Sequence, residues 1–405
     1  MIKVEEALNI ILENIAILPH KEIPLNEAWN RVLREDIIAN TNIPPFNNSA
    51  MDGYAVRSED IKSASIENPV SLKIIDDIPA GYLPKKDINA QEASLIMTGA
   101  FMPERADCVV IVEHTILSDD HGYVKIFFAG KKGDNIRFNG EDTKKGEKVL
   151  ESGILLKSSD IGLLAALGKT NVKVNKKPVV AILASGDELV DINSPLAKGK
   201  IHCSNNYMLE ALVTKYGGIP VNLGIAQDTK EDLMHYLVMG KKADVIVTTG
   251  GISVGKYDVV RDTLESLGGE FKFWKVAMKP GKPLAFCVWD NKPIFGLPGN
   301  PISSMVSFEQ FVRPALFKMC GKTNLSLPTI LAYLENDISK KSGIRYYARC
   351  KVYIKEGKIY AVVQGPHGSN MLKPLTRSNG LIVLPEDSNG AKNGDVVEVQ
   401  LIDNL

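Results

Sequence analysis

The chain has 405 residues, of which 44% are hydrophobic and 24% are charged. This composition supplies apolar material for several cores and excludes a wholly disordered protein, and the length predicts roughly two to four domains. Lys and Arg together number 48, as do Asp and Glu, so the formal net charge is +0. This balance argues against a general nucleic-acid-binding protein, which normally carries a basic excess.

The cysteines and the N-terminal segment indicate a cytoplasmic protein. The five cysteines are scattered and none has CxxC spacing, so we expect neither a disulfide framework nor a zinc site. In MIKVEEALNIILENIA, apolar residues recur at helical spacing between glutamates, which is typical of an amphipathic helix and not of a signal peptide. No apolar run reaches the ~18 residues that a membrane-spanning helix needs.

The first 176 residues are predicted to alternate between helical and β-rich segments. A second, short helix is predicted in LNEAWNRVL, and the turn-forming residues of PPFNNSAMDGY then end the helical pattern. Residues 44–132 contain the runs VSLKII, ASLIM, CVVIVE and YVKIFF with Gly and Pro between them, which favours a small β-rich module. A helix returns in SSDIGLLAALG. If this helix packs on the N-terminal helices, the β-rich module is an insertion in a discontinuous first domain.

Strands and helices alternate at short spacing from residue 177 to residue 321. This rhythm predicts βαβ units and a parallel sheet covered on both faces by helices. Residues 322–405 return to a β pattern. We therefore predict an α/β multidomain chain with four parts: domain I, helical and linker, from residues 1–43 plus 133–176; β-rich domain II, 44–132; αβα domain III, 177–321; and C-terminal β domain IV, 322–405.

Three unusual loops follow predicted strands of domain III. They are ASGDEL after VVAIL, TTGGISVGKYD after DVIV, and LPGNP after PIF. In open parallel sheets, ligands bind beyond the carboxyl ends of the strands. The three loops are therefore predicted to converge on one crevice.

The loop TTGGISVGKYD contains G-x-x-x-x-G-K, the first part of a nucleotide-binding P-loop. Tyr257 stands where the P-loop needs a Ser or Thr hydroxyl for Mg²⁺, so a P-loop is not favoured. Its three glycines let backbone N–H groups approach an anion, and Asp258 could cap the next helix or hold a cation. On these residues alone, a plain turn and a phosphate cradle both stay open.

Charged residues also lie on the other turns of domain III. Lys279 and Lys282 of VAMKPGKP could attract an oxyanion or belong to a solvated turn. Asp187 and Glu188 of SGDEL could bind Mg²⁺ or cap a helix. LPGNP forms a rigid turn with Pro301 near the first helical position, where N–H groups form a natural anion site.

Seven segments occur in the order found in the MoeA family of molybdopterin molybdenumtransferases, which includes the E domain of gephyrin. They are PPFNNSAMDGYAVR, IMTGA, NIRFNGED, SGDEL, TTGGISVGKYD, VAMKPGKPLAF and LPGNPISS, and the resemblance spans essentially the whole chain. It implies an elongated homodimer of four-subdomain chains, with a three-layer αβα molybdopterin-binding domain III. It also implies insertion of molybdenum from molybdate into adenylylated molybdopterin, with Mg²⁺ assistance and release of AMP.

The resemblance also assigns roles to individual residues. The implied catalytic residues are Thr98, Asp142, Glu188, Asp228 and Asp258, with Glu188 and Asp258 as Mg²⁺ ligands. The implied substrate-binding residues are Asp52, Gly250, Gly251, Ser253, Gly255, Lys279, Lys282, Pro283, Pro298, Asn300, Pro301, Ser303, Arg349 and Ser369. The two lysines and Arg349 are expected to hold molybdate, a dianion, away from the acids, because like charges would repel one another.

One position departs from the family pattern, and several alternative functions remain. Asn47 stands where many bacterial members have an acid, and it cannot replace that acid as a base or a metal ligand. The alternatives are a non-catalytic molybdopterin-binding scaffold, insertion of tungsten, and adenylylation of molybdopterin. The retained acids and lysines favour an enzyme over a scaffold, and ~180 additional N-terminal residues argue against a single-domain adenylyltransferase. Such an adenylyltransferase is instead an expected substrate-handing partner, whereas nucleic acid and membranes are not expected partners.

Overall fold

The computed structural model describes residues 1–251, 259–365 and 371–405. Within these residues the helices are α1 (Val4–Glu13), α2 (Ser158–Ala166), α3 (Ser204–Lys215), α4 (Lys230–Gly240), α5 (Val259–Ser266), α6 (Pro301–Ser307), α7 (Arg313–Met319) and α8 (Leu372–Leu375). A π-helical turn, Phe308–Val312, joins α6 to α7. None of the described helices is both long enough and apolar enough to cross a bilayer.

The first 175 residues contain short strands, including those that the β-type runs of residues 44–132 predict. They are β1 (His20–Pro24), β2 (Ile37–Ile38), β3 (Asn48–Ser49), β4 (Gly53–Val56), β5 (Val70–Ile78), β6 (Glu92–Ile96), β7 (Cys108–Ile111), β8 (Thr115–Leu117), β9 (Tyr123–Ile126), β10 (Ile136–Arg137), β11 (Lys148–Leu150) and β12 (Asn171–Asn175). Six of them form one sheet in the order β7-β4-β6-β5-β9-β8. The β-rich character of this segment is thus confirmed.

The prediction of a helix in LNEAWNRVL is wrong. Only a 3₁₀ turn, Leu25–Glu27, forms there. Val32 makes an antiparallel bridge to Leu155, and Leu33 makes one to Val174. Because Val32 and Leu33 are buried and pair with distant residues, tertiary contacts override the local helical spacing.

The helix α2 confirms the helix expected in SSDIGLLAALG. Its apolar side chains share a core with residues on either side of the β-rich sheet: Ile23, Ala28, Leu33, Ile37, Ala39, Leu156, Leu164, Leu167, Val172 and Val174. The helix α1 packs elsewhere, against α7, and its buried Val4, Ala7 and Ile11 join the core that contains Val180 and Phe311. The exact boundaries of the four domains stay a prediction.

The middle of the chain forms a sheet with helices on both faces. The strands of this part of the chain are β13 (Val179–Ser185), β14 (Leu189–Val190), β15 (Ile201–His202), β16 (Ile219–Ala226), β17 (Val245–Thr249), β18 (Glu270–Lys275), β19 (Met278–Lys279), β20 (Pro283–Trp289) and β21 (Lys292–Leu297). Of these, β14 and β15 pair only with each other, and β19 belongs to another sheet. Successive side chains of β13 enter different cores: Val180 packs with residues of α3, whereas Ala181 packs with residues of α4. This period-2 alternation shows that both faces of the sheet are buried.

The sheet is parallel only in part. Its order is β16-β13-β17-β21-β20-β18, and the first four strands are parallel. The strands β20 and β18 are antiparallel to their neighbours, so the expectation of an entirely parallel sheet is wrong at this edge. Asp290 and Asn291, with φ of 48° and 60°, form a tight turn between β20 and β21. Two successive positive φ values favour an antiparallel hairpin.

The C-terminal strands form a second large sheet that also reaches back to the middle of the chain. They are β22 (Thr329–Leu334), β23 (Ile338–Ser339), β24 (Arg345–Lys355), β25 (Lys358–Val363), β26 (Gly380–Leu384), β27 (Gly390–Ala391) and β28 (Val396–Leu401). The sheet order is β19-β24-β25-β22-β28-β26, and β24 also pairs with β26. Because β19 lies parallel to β24, Lys279 is placed opposite Tyr346.

Candidate functional site: two adjoining cavities

The loops after β13, β16, β17 and β21 surround a cavity of about 630 Å³, here termed the acidic cavity. It is lined by Ser185, Gly186, Glu188, Leu189, Ile201, His202, Cys203, Ser204, Asn205, Asp228, Thr249, Gly250, Gly251, Pro283, Pro298, Gly299, Asn300, Pro301 and Leu372. The convergence predicted for the three loops is therefore confirmed for their described residues. Residues 252–258, which include Ser253, Gly255 and Asp258, lie outside the described part of the chain.

Close packing of two loops explains why a glycine is needed at position 250. Gly250 has φ of 87°, and a Cβ atom added there would lie 2.1 Å from the carbonyl oxygen of Ser185. Any residue with a Cβ atom at this position would clash with that carbonyl oxygen and displace the loop after β13. The glycine thus lets the backbone after β17 pass directly against the end of β13.

Asn205, near the start of α3, links two of the loops and was missed by the sequence analysis. Its Nδ2 donates to Thr249 Oγ1 at 2.7 Å and to the carbonyl oxygen of Gly299 at 2.8 Å. Thr249 Oγ1 in turn donates to the carbonyl oxygen of Pro298 at 3.2 Å. The only signal in the sequence is a pair of asparagines at a helix start, where such side chains often bond to nearby backbone.

The acids of this cavity have different roles. Glu188 and Asp228 line it. Asp228 Oδ1 accepts a hydrogen bond from Ser185 Oγ at 3.1 Å, while the N–H of Asp228 donates to Asp187 Oδ1 at 3.1 Å. Asp187 therefore holds the neighbouring loop and does not line the cavity, and it does not cap α4, because Asp228 precedes the N-cap residue Thr229. No Lys or Arg lines the acidic cavity in the described ranges.

A second cavity, of about 300 Å³, is here termed the basic cavity. It is lined by Met278, Lys279, Pro280, Gly281, Lys282, Pro283, Asn300, Ile302, Ser303, Ile344, Tyr346, Tyr347, Ala348, Arg349, Val363, Gln364 and Gly365. The two lysines and Arg349 thus meet in one place, although about 70 residues of chain separate them. Among the described residues no Asp or Glu lines this cavity.

Two of the three cations of the basic cavity, Lys279 and Arg349, lie on the paired strands β19 and β24. Arg349 is only 8% exposed, and burial lowers the pKa of its guanidinium. Lys279 Nζ lies 5.8 Å from the ring centre of Tyr346. Burial raises the pKa of Tyr346, and the charge of Arg349 opposes that rise. Tyr346 is a lining residue that sequence reasoning missed, because only the β19–β24 pairing brings it to the site.

Pro283 and Asn300 line both cavities, so the two adjoin each other. One side carries the acids and the other carries the cations. A site that binds an anion next to a cation needs its acidic and basic side chains apart. Acidic and basic side chains in direct contact would pair with each other and not with the two ligands. The expectation that the acids lie apart from the oxyanion-binding side chains agrees with this arrangement.

Three residues with implied roles line neither cavity of this chain: Asp52, Thr98 and Asp142. The N–H and the hydroxyl of Thr98 both donate to Asp52 Oδ1 at 2.7 Å, and these bonds lower the pKa of the Asp52 carboxyl. Both residues, like Asp142, are exposed. Asn47 Oδ1 accepts a hydrogen bond from the N–H of Asn139 at 2.8 Å, a contact that an aspartate could also make. Ser369 lies outside the described residues.

The described residues contain no cluster of three or more His, Cys, Asp and Glu side chains that could hold a metal ion. Mg²⁺, however, commonly uses one or two carboxylates together with substrate phosphates and water. Glu188 and Asp228 meet that smaller requirement at the acidic cavity. The donor set therefore fits a Mg²⁺ ion whose coordination is completed by a bound phosphate.

Comparison with known proteins covers the chain almost from end to end. Residues 2–168 match the family profile described as MoeA N-terminal region (domain I and II). Residues 181–318 match a probable molybdopterin binding domain, and residues 332–402 match the MoeA C-terminal region (domain IV). The multidomain α/β fold expected from the sequence is thus that of MoeA proteins.

Individual relatives support the same assignment. A molybdopterin molybdenumtransferase of Staphylococcus aureus strain Mu50 is 37% identical over 100% of this chain and 96% of its own length. A protein of that name from Staphylococcus epidermidis strain RP62A is 35% identical with the same coverage. The crystal structure of the molybdopterin biosynthesis MoeA protein from Pyrococcus horikoshii OT3 superposes with a TM-score of 0.83, at 33% identity, and covers 99% of this chain and 100% of that chain. This chain therefore belongs to the MoeA family.

Proposed function

We propose that this protein inserts molybdenum from molybdate into adenylylated molybdopterin and releases AMP, as a step of molybdenum cofactor biosynthesis. The observation that carries the proposal is the pair of adjoining cavities, one acidic and one basic, joined at Pro283 and Asn300. Full-length similarity to proteins named molybdopterin molybdenumtransferase supports the same reaction.

The basic cavity is suited to molybdate. Molybdate is a tetrahedral dianion, and Lys279, Lys282 and Arg349 supply positive charge from rigid turns and a strand. Ser303, at 6% exposure, adds a hydroxyl to the cavity wall. No carboxylate lines this cavity in the described ranges, so the charged side chains of its wall are all positive and would attract an oxyanion.

The acidic cavity is suited to the nucleotide part of the substrate. Glu188 and Asp228 would hold Mg²⁺ beside the pyrophosphate, and Asp258 is a further proposed ligand. Bound there, Mg²⁺ would neutralise phosphate charge and favour departure of AMP. Gly250 and Gly251 line this cavity, and Asn205 links the loops that follow β17 and β21.

We also propose that the protein acts as a homodimer. Asp52, Thr98 and Asp142 have implied catalytic or binding roles, yet they are exposed and line neither cavity of their own chain. A second copy of the chain would have to supply them if they act at the cavities. A molybdopterin adenylyltransferase is the proposed source of the nucleotide substrate, and the cytoplasm the proposed location.

The proposal is tested by incubating the purified protein with adenylylated molybdopterin, Mg²⁺ and molybdate. We expect release of AMP and molybdenum bound to molybdopterin, and neither product when molybdate is omitted. Tungstate in place of molybdate tests the alternative metal, and molybdopterin with ATP tests adenylyltransferase activity. Tight binding of adenylylated molybdopterin without AMP release under any of these conditions would instead establish a scaffold.

A further inference from the structure

A third cavity, of about 260 Å³, lies between the N-terminal region and the ends of α3 and α7. It is here termed the Trp29 cavity. Its walls come from four parts of the chain: residues 29–32, residues 175 and 177, residues 214–217, and residues 320 and 322. None of these residues lines the acidic or the basic cavity. The Trp29 cavity is therefore separate from the site proposed for molybdenum insertion.

Positive charge dominates the Trp29 cavity. Its lining includes Arg31, Lys177, Lys215 and Lys322, and no Asp or Glu lines it in the part of the chain that the structure describes. Lys215 pairs with Asp403, a largely exposed residue, at 2.9 Å. The other three cations have no carboxylate within ion-pair distance among the described residues. The four cations of the cavity thus exceed the one carboxylate, that of Asp403, with which any of them forms an ion pair among the described residues.

Arg31, Lys177 and Lys322 line the same cavity as Cys320. Burial raises the pKa of the Cys320 thiol, and the charges of Lys322, Arg31 and Lys177 all oppose this rise. Burial also lowers the pKa of Lys322, with a further contribution from the nearby Arg313. Like charges gathered in a partly buried space repel one another, and a bound anion would relieve that repulsion.

Helix ends account for only part of this charge. The helices α3 and α7 both end at the cavity, and basic side chains near helix C-termini complement the helix dipole. That explains Lys215 and Lys322, whereas Arg31 and Lys177 lie outside helices. Arg31, 8% exposed, is fixed in place because its guanidinium donates to the backbone carbonyl of the buried Asn175. The helix dipole therefore does not account for Arg31 and Lys177.

We propose that the Trp29 cavity binds a small phosphorylated anion. A volume of about 260 Å³ suits a phosphate group with a small substituent and excludes a folded macromolecule. Trp29, 65% exposed, offers an aromatic face on which a base could stack. AMP combines a phosphate with such a base and is therefore the first probe to use. The proposal does not depend on AMP being a reaction product.

The test uses tryptophan fluorescence of the full-length protein, because Trp29 is exposed, whereas Trp274 is partly buried and Trp289 is buried. Addition of AMP should change the fluorescence, adenosine at the same concentration should not, and Trp29→Phe should abolish the change. Lys177→Gln and Lys322→Gln should each weaken AMP binding by roughly tenfold, as expected for loss of a charge-assisted contact. Lys125→Gln, which removes a charge from the exposed face of β9, is the matched control and should bind AMP normally.

Calorimetric titration with inorganic phosphate separates the phosphate contribution from that of the base. Phosphate binding that weakens in Lys177→Gln and Lys322→Gln supports the proposal. The proposal is overturned if neither AMP nor phosphate binds at millimolar concentrations, or if both variants bind like the wild type. It is also overturned if these variants change the oligomeric mass in sedimentation and leave anion binding unchanged, since an acidic group of a second copy would then occupy the cavity.

Discussion

Single side chains carry the charge of the two functional cavities. We predict that Lys279→Gln or Lys282→Gln weakens molybdate binding by roughly tenfold, because each removes one cation that faces the oxyanion. Lys341→Gln, at an exposed position that lines neither cavity, is the neighbouring control. Calorimetric titration with molybdate measures the affinity of each variant. Equal affinity in all three variants and the wild type would show that molybdate binds elsewhere.

A buried acid next to α7 gives a second prediction at this scale. Glu309, 1% exposed, accepts hydrogen bonds from the Tyr216 hydroxyl at 2.8 Å and lies 3.5 Å from the Arg313 guanidinium. Burial raises the pKa of Glu309 from 4.5 to about 7, although both neighbours oppose the rise. The folded protein therefore binds this proton more tightly than the unfolded chain does.

The raised pKa of Glu309 determines how the free energy of unfolding changes with pH. The stabilising contribution of protonated Glu309 is complete below pH 4.5 and is lost as the pH rises through about 7. We expect the free energy of unfolding of the wild type, relative to Glu309→Gln, to fall over this range, because glutamine cannot ionise. Urea unfolding at several pH values measures the difference. A difference that does not vary with pH would contradict the assigned pKa.

At the scale of elements, the acidic cavity depends on how closely the loop after β17 approaches β13. We predict that Gly250→Ala lowers the free energy of unfolding by more than about 1 kcal/mol, because the added Cβ would meet the Ser185 carbonyl oxygen. Gly299→Ala is the matched control in the facing loop, where the nearest atom, Gly250 Cα, lies 3.6 Å from the added Cβ. Thermal unfolding of both variants tests this. Similar losses in the two would refute the close approach.

Sequence periodicity predicts much of this architecture, and the misses have physical reasons. The helix α1 is recognisable because its buried residues follow helical spacing. The strand β13 is recognisable as a short, continuous apolar run, which is typical of a strand buried on both faces. The convergence of the three loops follows from the general geometry of open parallel sheets. The expected helix in LNEAWNRVL fails because Val32 and Leu33 pair with distant strands. The meeting of Lys279 with Arg349 depends on pairing between β19 and β24, which no local pattern reveals.

At the scale of the whole molecule, the proposed homodimer predicts complementation between inactive chains. Asp52→Ala would remove a group supplied to the partner, and Glu188→Gln would remove a group at a chain's own cavity. Mixed dimers of the two variants contain one intact site, so an equal mixture should regain about a quarter of wild-type activity after subunit exchange. AMP release from the mixture, compared with each variant alone, measures this. No recovery in proven mixed dimers would contradict sharing of residues between subunits.

The central claim is that the adjoining acidic and basic cavities form one molybdenum insertion site with divided roles. The most direct test is the rate of AMP release from adenylylated molybdopterin, with Mg²⁺, as molybdate concentration is varied in the wild type, Lys282→Gln and Glu188→Gln. We predict that Lys282→Gln requires roughly tenfold more molybdate but approaches the wild-type rate, whereas Glu188→Gln stays slow at saturating molybdate. Wild-type molybdate dependence in Lys282→Gln, or a wild-type rate in Glu188→Gln, would contradict the claim.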